Sequence, residues 1–496
     1  MNIILDTNIF IYREDNSAVP ENLTDLLKTI RMLNYKIILH PASLLDLQND
    51  RDLKRKQIML SKLETYPILD SPPEVQDDAQ FLQLIGISQN SHDYIDATIL
   101  YSIYRNAADF LITEDRGIHK TAIRAGIEDR VFLIEEARSF FRKNFINETI
   151  YQPLSIKKVP LYQLNIEDPI FNSLKDEYKD FPKWWAKKCR EQRQARVFFK
   201  EDKSLGALLI WKIENEVIIG DPILPVKKRL KISTFKVTHN GYKIGELFIK
   251  MSIEYAIKNG IDQLYLTHFR KPEDDLIRLI EEYGFYLASI KQGEDIYVKD
   301  LIVSHHENIP LSQISKKYYP SFYDGDQVKK FIVPIRPLYH DRLFVEVSKD
   351  INLFEGVGEL IVEGNTIKKA YLCHSNSKKI QQNDVLVFYC SETRKSMSAI
   401  GVVEHIYLGM RNAEEVIRQV GKRSVYKIDD IRRLVSKPTM VIVFKLHFYL
   451  PNPLTYKFLY NHKVLSGPPQ SIVEISHDKY LLVKDGGGLN ERFTFN

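Results

Sequence analysis

The sequence predicts a multidomain chain: an α/β/α unit on a parallel sheet, then an α+β unit, then a small β-barrel. Three observations predict it. The chain has 496 residues, which at roughly 150 residues per domain suggests about three domains. Residues 1–145 alternate short strands with amphipathic helices, residues 146–300 mix the two, and short strands separated by turns dominate from 331 onward. Hydrophobic residues make up 44% and charged residues 27%, enough for ordinary cores and a poor match to disorder, collagen or a coiled-coil rod.

In residues 1–145, Asn2–Leu5 reads as a strand, Leu23–Leu33 as a helix, Tyr35–Leu39 as a strand and Ala42–Leu63 as a long helix. Tyr94–Arg105 is a further helix, followed by strand Phe110–Thr113 and a short strand Val131–Ile134. Strand–helix alternation predicts a parallel sheet covered on both faces. In residues 146–300 a helical stretch over Ile166–Gln194 precedes strands near Ala195–Phe199, Gly206–Ile213, Glu216–Asp221 and Ile232–Val237. Helix Glu246–Asn259, strand Gln263–Thr267, helix Glu273–Tyr283 and strands Phe285–Ile290 and Asp295–Val298 complete that segment. Residues 301–330 read as a linker with one helix. In 331–496 the strands are Phe331–Ile335, Lys369–His374, Asp384–Cys390, Met397–Ile406 and Met440–Leu450, with one helical interruption at Ala413–Gly421. That spacing suggests a small barrel.

The formal net charge of +5 conceals an asymmetry. Residues 1–145 hold 17 Lys and Arg against 22 Asp and Glu, net −5, and the remainder is net +10. An acidic head gathers cations, and a basic body gathers polyanions such as RNA. The three cysteines, Cys189, Cys373 and Cys390, have no CxxC spacing. They are too few for a disulfide framework or a Cys-rich zinc site, and a reducing cytoplasm is expected. The opening MNIILDTNIF lacks the basic leader of a signal peptide. No apolar run approaches the ~20 residues that span a bilayer, so no membrane association is expected.

Four acids of the first segment stand where a shared cation could reach them. Asp6 closes the first strand in LDTN, Asp46 lies within a helix in PASLLDL, Asp96 opens a helix in HDYIDATIL, and Asp115 follows a strand in FLITEDR. Oxygen-only ligands favour Mg²⁺ or Mn²⁺ over zinc. Thr7 and Thr113 are placed to orient a water or a carboxylate. Taken singly, each Asp is better explained as a solvated cap or turn acid, and it is the set of four at strand ends and helix starts that points to a site.

The order Asp-Thr-Asn, an acid after Ser in a helix, Asp-Ala-x-Ile and Thr-x-Asp resembles the PIN-domain ribonucleases over about 140 residues. The resemblance implies an α/β/α fold whose acids hold one or two divalent ions that activate water against RNA. Those roles fall on Asp6, Asp46, Asp96 and Asp115, with Asp93 as an additional ligand and Asn8 or Thr113 in support. The helix position is usually Glu in the family and is Asp46 here. Arg51, Lys54, Arg55 and Lys56 follow on the same helix and are candidates for the phosphate backbone, or a solvated helix face.

The segment KISTFKVTHNGYKIGELFIKMSIEYAIKNG reads strand, loop, helix, an arrangement whose amides can cradle a pyrophosphate. With EEYGFYL downstream, it resembles the acyl-CoA loop of GNAT-type acetyltransferases over about 150 residues. The resemblance implies acetyl-CoA contacts at Val237, Asn240, Gly241, Lys243, Ile244 and Gly245. Lys243 stands where the family has its first Gly, and Ile280 where it often has a catalytic Tyr; Tyr283 lies nearby on a different helix face. A basic run bearing Trp184 and Trp185, from Lys183 to Arg196, could stack on single-stranded RNA or pack in a core.

In the last segment, IVPIRPLYHDRLF, GNTIKKAYLCHS, NDVLVFYCSE and SAIGVVEHI resemble ASCH/PUA-like domains over 120–160 residues. The resemblance implies RNA contacts, for which Arg336, Tyr339, Lys368, Lys369 and Tyr371 are the candidates by position. His340, His374 and His405 show no metal-ligand spacing. The expected function is a metal-dependent endoribonuclease acting on structured RNA, with tRNA the candidate. Toxin–antitoxin pairs among PIN nucleases imply an antitoxin partner. Two alternatives stand beside it: an acetyltransferase acting on RNA or aminoacyl-tRNA, and a non-catalytic RNA-binding regulator.

Overall fold

The computed structural model describes residues 1–496 except 15–20, 34, 49–52, 64–65, 89–90, 92, 146–154, 201, 239–242, 272–273, 304–308, 345–359, 362–365, 376, 421–424 and 427. The chain divides into two compact units. The first comprises Met1–Tyr151, Asn240–Tyr242 and Met410–Lys437, and the second Gln152–His239, Lys243–Gly409 and Pro438–Asn496.

The first unit is built on a four-stranded sheet of β1 (Asn2–Leu5), β2 (Lys36–Ile38), β3 (Phe110–Ile112) and β4 (Val131–Phe132), in the order β2-β1-β3-β4. All pairings are parallel. Runs such as Ile3-Ile4-Leu5 and Phe110-Leu111-Ile112 are buried on both faces, as a sheet covered by helices on two sides demands. Phe110, Phe132, Phe140 and Phe141 interlock on one face with ring centroids 5.0–6.5 Å apart. From β1 the chain crosses to β2 on one side, and then to β3 on the other. The order therefore reverses between β1 and β3, and the crevice beyond their carboxyl ends is the usual ligand position of such a sheet. The helix expected over Ala42–Leu63 is two described helices, Ala42–Gln48 and Leu53–Leu63.

Helices Ala413–Val420 and Ile428–Leu434 also belong to this unit, although the sequence around them reads as part of the third segment.

The second unit holds an eight-stranded sheet: β5 (Ser155–Pro160), β6 (Gln194–Phe199), β7 (Leu205–Ile218), β8 (Leu224–Val237), β9 (Gln263–Phe269), β10 (Tyr286–Lys291) and β11 (Glu294–Asp300), with β14 (Leu360–Ile361) on the edge. Its order is β10-β11-β9-β8-β7-β6-β5-β14, antiparallel except for the central β8–β9 pair. Strands expected separately at Gly206–Ile213 and Glu216–Asp221 are one strand, β7. Its polar stretch stays extended because Glu214 lies opposite Arg229 and Glu216 opposite Lys227 on β8, pairs that favour strand over turn. Helix Ile244–Lys258 supplies a largely buried apolar face.

A third sheet takes β13 (Lys330–Ile335), β15 (Lys368–Cys373), β16 (Val385–Cys390), β17 (Ser396–Met410), β18 (Thr439–Thr455) and β19 (Val473–Ile475), in the order β15-β18-β17-β16-β13-β19. It is mixed, since β13 and β16 run parallel. Helices Pro337–Leu343, Tyr456–Asn461 and His477–Gly486 interrupt what the sequence suggested was almost wholly β. The segment 301–330, read as a linker, packs Tyr318, Tyr319 and Phe322 into the interior, and its β12 (Phe322–Tyr323) pairs with β20 (Thr494–Phe495). Among the described residues no helix is long and apolar enough to cross a membrane.

Candidate functional site

Asp6 is the residue after β1, and residues 113–115 follow β3, so both reach the β1/β3 crevice. Asp6 is buried, and its two oxygens are held separately. Thr7 donates its amide to Oδ1 at 2.7 Å, and Thr113 donates Oγ1 to Oδ2 at 2.6 Å. Thr113 Oγ1 in turn accepts from Asn8 Nδ2 at 3.2 Å and from the Asp115 amide at 2.9 Å. Thr7 Oγ1 donates to Asp46 Oδ2 at 3.0 Å. One hydrogen-bonded net thus links Asp6, Thr7, Asn8, Asp46, Thr113 and Asp115.

The electrostatics are those of a site short of positive charge. Burial pushes the Asp96 carboxyl up to about 8, and Asp6, Asp115, Asp46 and Asp93 add to the rise. Burial lifts Asp6 to about 6; hydrogen bonds from Thr113 and Thr7 oppose this, while Asp115 and Asp46 reinforce it. Asp46 is raised by burial and by Asp115, against the bond from Thr7. Asp93 precedes helix Tyr94–Tyr104 and is exposed. Asp115 also serves as the cap of helix Arg116–Arg124, its Oδ1 accepting from Gly117 and Ile118 amides at 2.6 and 3.1 Å. The cap and the site role are therefore not alternatives for this residue.

The donors suit a hard divalent ion in chemistry, being oxygen-only, and burial holds Asp6, Asp46 and Asp96 above the usual carboxylate range. Closure is a different matter. Among the described residues no three His, Cys, Asp or Glu side chains stand close enough together to form a ready coordination sphere. The acids nevertheless share one electrostatic neighbourhood, in which Asp6, Asp115, Asp46 and Asp93 all raise Asp96.

Of the basic run after Asp46, Arg51 lies outside the described residues, as do the side chains of Lys54 and Arg55. The same holds for Asn240 and Gly241 of the loop from which acyl-CoA contacts were expected. Val237 ends β8, Lys243 precedes helix Ile244–Lys258 at φ +55°, and Ile244 is buried. A Cβ on Gly245 would fall 2.5 Å from Leu279 Cδ2, the tip of a half-buried side chain. Ile280 is fully buried. Sequence reasoning missed a feature beside this loop. β8 and β9 pair only from Leu230↔Leu264 to Ile232↔Leu266, and beyond that each strand keeps only its outer neighbour. No local sequence signal marks such a parting.

In the third sheet the candidates separate. Arg336 is exposed, 3.7 Å from Glu392, and Tyr339 is half-buried. Lys368 binds Glu282 at 2.6 Å, Lys369 is buried, and Tyr371 is buried with its hydroxyl donated to Pro334 O at 2.8 Å. The last three do not present a surface to RNA. The tryptophans of the basic helix also pack inward: Trp185 is buried, and Trp184 stacks on Phe181 at 5.6 Å.

No family model matches the sequence, and no curated protein matches it. Solved structures do resemble parts of the chain. The ASCH protein of Zymomonas mobilis is 12% identical with a TM-score of 0.25, covering 32% of this chain and 94% of its own. The PaiA N-acetyltransferase of Thermoplasma acidophilum, solved with coenzyme A, is 16% identical with a TM-score of 0.22, covering 30% and 99%. A GNAT-family acetyltransferase of Listeria monocytogenes is 18% identical with a TM-score of 0.17, covering 22% and 64%. None of these three bears on the nuclease expectation for the first unit.

Proposed function

We propose that the chain is an RNA-cutting enzyme whose first unit hydrolyses phosphodiester bonds with the aid of a divalent cation. The observation that carries this reading is the position of Asp6 at the β1/β3 reversal, tied through Thr113 to Asp115 and through Thr7 to Asp46. Asp6, Asp46, Asp96 and Asp115 would hold Mg²⁺ or Mn²⁺, with Asp93 at the rim. A bound ion there lowers the pKa of water and neutralises charge on the phosphate. The chain's own part is positional and protonic. Thr7 and Thr113 fix both Asp6 oxygens. Asp96, pushed up to about 8 by burial and the neighbouring acids, would hold a proton near neutrality and give it up to a bound cation. The basic remainder of the chain supplies attraction for structured RNA, tRNA being the candidate, and a restraining antitoxin belongs to the same reading. Incubating the protein with total RNA and Mn²⁺, with and without EDTA, tests it. New 5′ ends should appear only with the ion and vanish in D6N/D96N. RNA retained but uncut would favour a binding regulator.

A second reading, acyl transfer from acetyl-CoA, is favoured by the parting of β8 and β9. Two central parallel strands that separate at their carboxyl ends open a slot in the sheet where an extended ligand can lie between backbones. Calorimetric titration with acetyl-CoA tests it.

A further inference from the structure

The second reading lacks a proton acceptor, because the position usual for one in the resembled family is the buried Ile280. The structure offers another, and the inference below rests on the acyl-transfer reading. Beyond Ile232 and Leu266, β8 remains paired with β7 (Thr234↔Ile210, Phe235↔Leu209) and β9 with β11 (Thr267↔Ile296, His268↔Asp295). The parted stretches therefore include Lys236 on β8 and His268 on β9.

His268 is not a loose surface residue. Its Nε2 is hydrogen-bonded to Asp274 Oδ2, with the imidazole side chain 15% exposed. Asp274 is itself fixed, because its Oδ1 caps helix Asp275–Glu282 by accepting from the Leu276 and Ile277 amides at 3.1 and 3.4 Å. A helix start thus holds a carboxylate, and the carboxylate orients a ring. This is the base–orienter relationship by which a histidine is kept in one tautomer and its cation stabilised. The cap gives Asp274 a structural duty, but it uses only one oxygen and does not require a histidine on the other.

Polar groups from other elements surround the same place. Lys236 Nζ donates to Ser173 Oγ at 2.9 Å. Lys271 pairs with Glu177. Tyr178 donates its hydroxyl to Glu294 at 2.6 Å and lays its ring 5.3 Å from Phe269. Across the ladder from His268, Asp295 is engaged by Arg270 Nε at 2.8 Å. Burial depresses the Lys236 ammonium and Lys271 adds to that, against Glu177 and Asp274, so these groups share one field.

The geometry points to His268, oriented by Asp274, as the proton acceptor for transfer of an acyl group from a thioester to a primary amine at the parted ends of β8 and β9. The amine nitrogen forms a bond to the thioester carbonyl carbon, and the carbon–sulfur bond breaks with its electron pair going to sulfur. With Nε2 committed to Asp274, Nδ1 takes the proton lost by the amine nitrogen. The imidazolium then returns that proton to the thiolate, so the products are an amide and a free thiol.

The test uses the full chain with acetyl-CoA as donor and spermidine, a lysine-containing peptide and an aminoacyl-tRNA as amine probes, reading free thiol. The wild type should bind acetyl-CoA by calorimetry and release thiol with at least one probe, its rate falling on the acid side of the profile. H268Q should lower kcat about 100-fold, the lower end for loss of a general base, with KM for acetyl-CoA within about twofold and the acid limb gone. If H268Q keeps the wild-type kcat and limb, His268 is not the acceptor, while the acyl-transfer reading survives. If the wild type neither binds acetyl-CoA nor releases thiol, that reading fails and the assignment with it. Should H268Q not fold, the wild-type profile decides, and a rate without an acid limb overturns the assignment.

Discussion

Arg418 donates from Nε and Nη2 to Oδ1 of Asp109, at 2.9 and 2.5 Å, across 309 positions of sequence. Asp109 is buried just before β3, and its other oxygen accepts from the Asn2 amide at 2.7 Å. Both ends of the pair lie in the first unit, so the helix Ala413–Val420 supplies that unit with a cation for a carboxylate wedged between β1 and β3. Replacing Arg418 with Ala should destabilise the first unit by about 3 kcal/mol, because the carboxylate is left buried and unpaired. Hydrogen exchange should show lost protection in β1 and β3 with β16 and β17 unchanged. Adding D109N to R418A should recover part of the loss.

The acid cluster predicts a dependence on pH with a definite sign. Asp96 is raised from 3.8 to about 8, and Asp6 from 3.8 to about 6. In the unfolded chain both lose their protons near pH 4, so between there and about 8 the folded state binds more protons. Stability from these groups is full below about pH 4 and is lost as pH rises through about 6 and then 8. Mg²⁺ or Mn²⁺ should oppose that loss, since a ligand bound only by the folded state stabilises it. Melting curves at about pH 5 and pH 8, with and without Mn²⁺, measure both effects. D96N should melt higher than wild type at pH 8 without the ion, respond less to it, and not cut RNA.

Buried histidines act in the opposite direction. Burial lowers His40 to about 4, and its ring is used as neutral imidazole: Nδ1 accepts from the Ala42 amide at 3.0 Å, while Nε2 lies 3.1 Å from Ser102 Oγ. Burial likewise lowers His340 to about 4, with Arg394 adding to the shift, and His447 to about 3. The unfolded chain takes up these protons near pH 6.5, so their contribution is present above that value and is lost as pH falls toward about 4. Unfolding by denaturant at about pH 6.5 and pH 4.5 should show the drop. His40→Gln should reduce its slope even though the absolute stability is lower.

Gly245 gives a packing prediction. A methyl group there meets only the tip of the half-buried Leu279 side chain, which can turn aside, so G245A should cost no more than about 1 kcal/mol, the low end of overpacking. Leu279→Ala should relieve part of that cost in the double variant, as denaturant midpoints would show. A glycine needed only for the approach of a ligand would show no such rescue.

Much of the first unit was legible in the sequence because its signals are local. Short apolar strands separated by helices specify a parallel sheet, and an Asp directly after a strand must emerge at its carboxyl end. Asp6 and Asp115 were placed by that reasoning alone. What was not legible depends on distant partners. Nothing around Arg418 distinguishes a surface arginine from one bound to Asp109. Lys369 and Tyr371 lie in KKAYLC, where successive positions are buried on both faces of β15, so the alternation that would expose every second residue does not apply. Trp184 and Trp185 carry an apolar body beside lysines, and burial of the ring outweighs the charge of its neighbours. Asp96 and Asp46 were also singled out, but how near they come to Asp6 and Asp115 is a matter of ångströms, which residue spacing does not encode.

The membership of Met410–Lys437 in the first unit reaches back to biosynthesis. A ribosome releases Asp109 early and Arg418 only after the whole eight-stranded sheet and strands β13, β15, β16 and β17 of the third sheet have been translated. The strands made first must therefore wait, partly assembled, for a counter-ion translated 309 positions later.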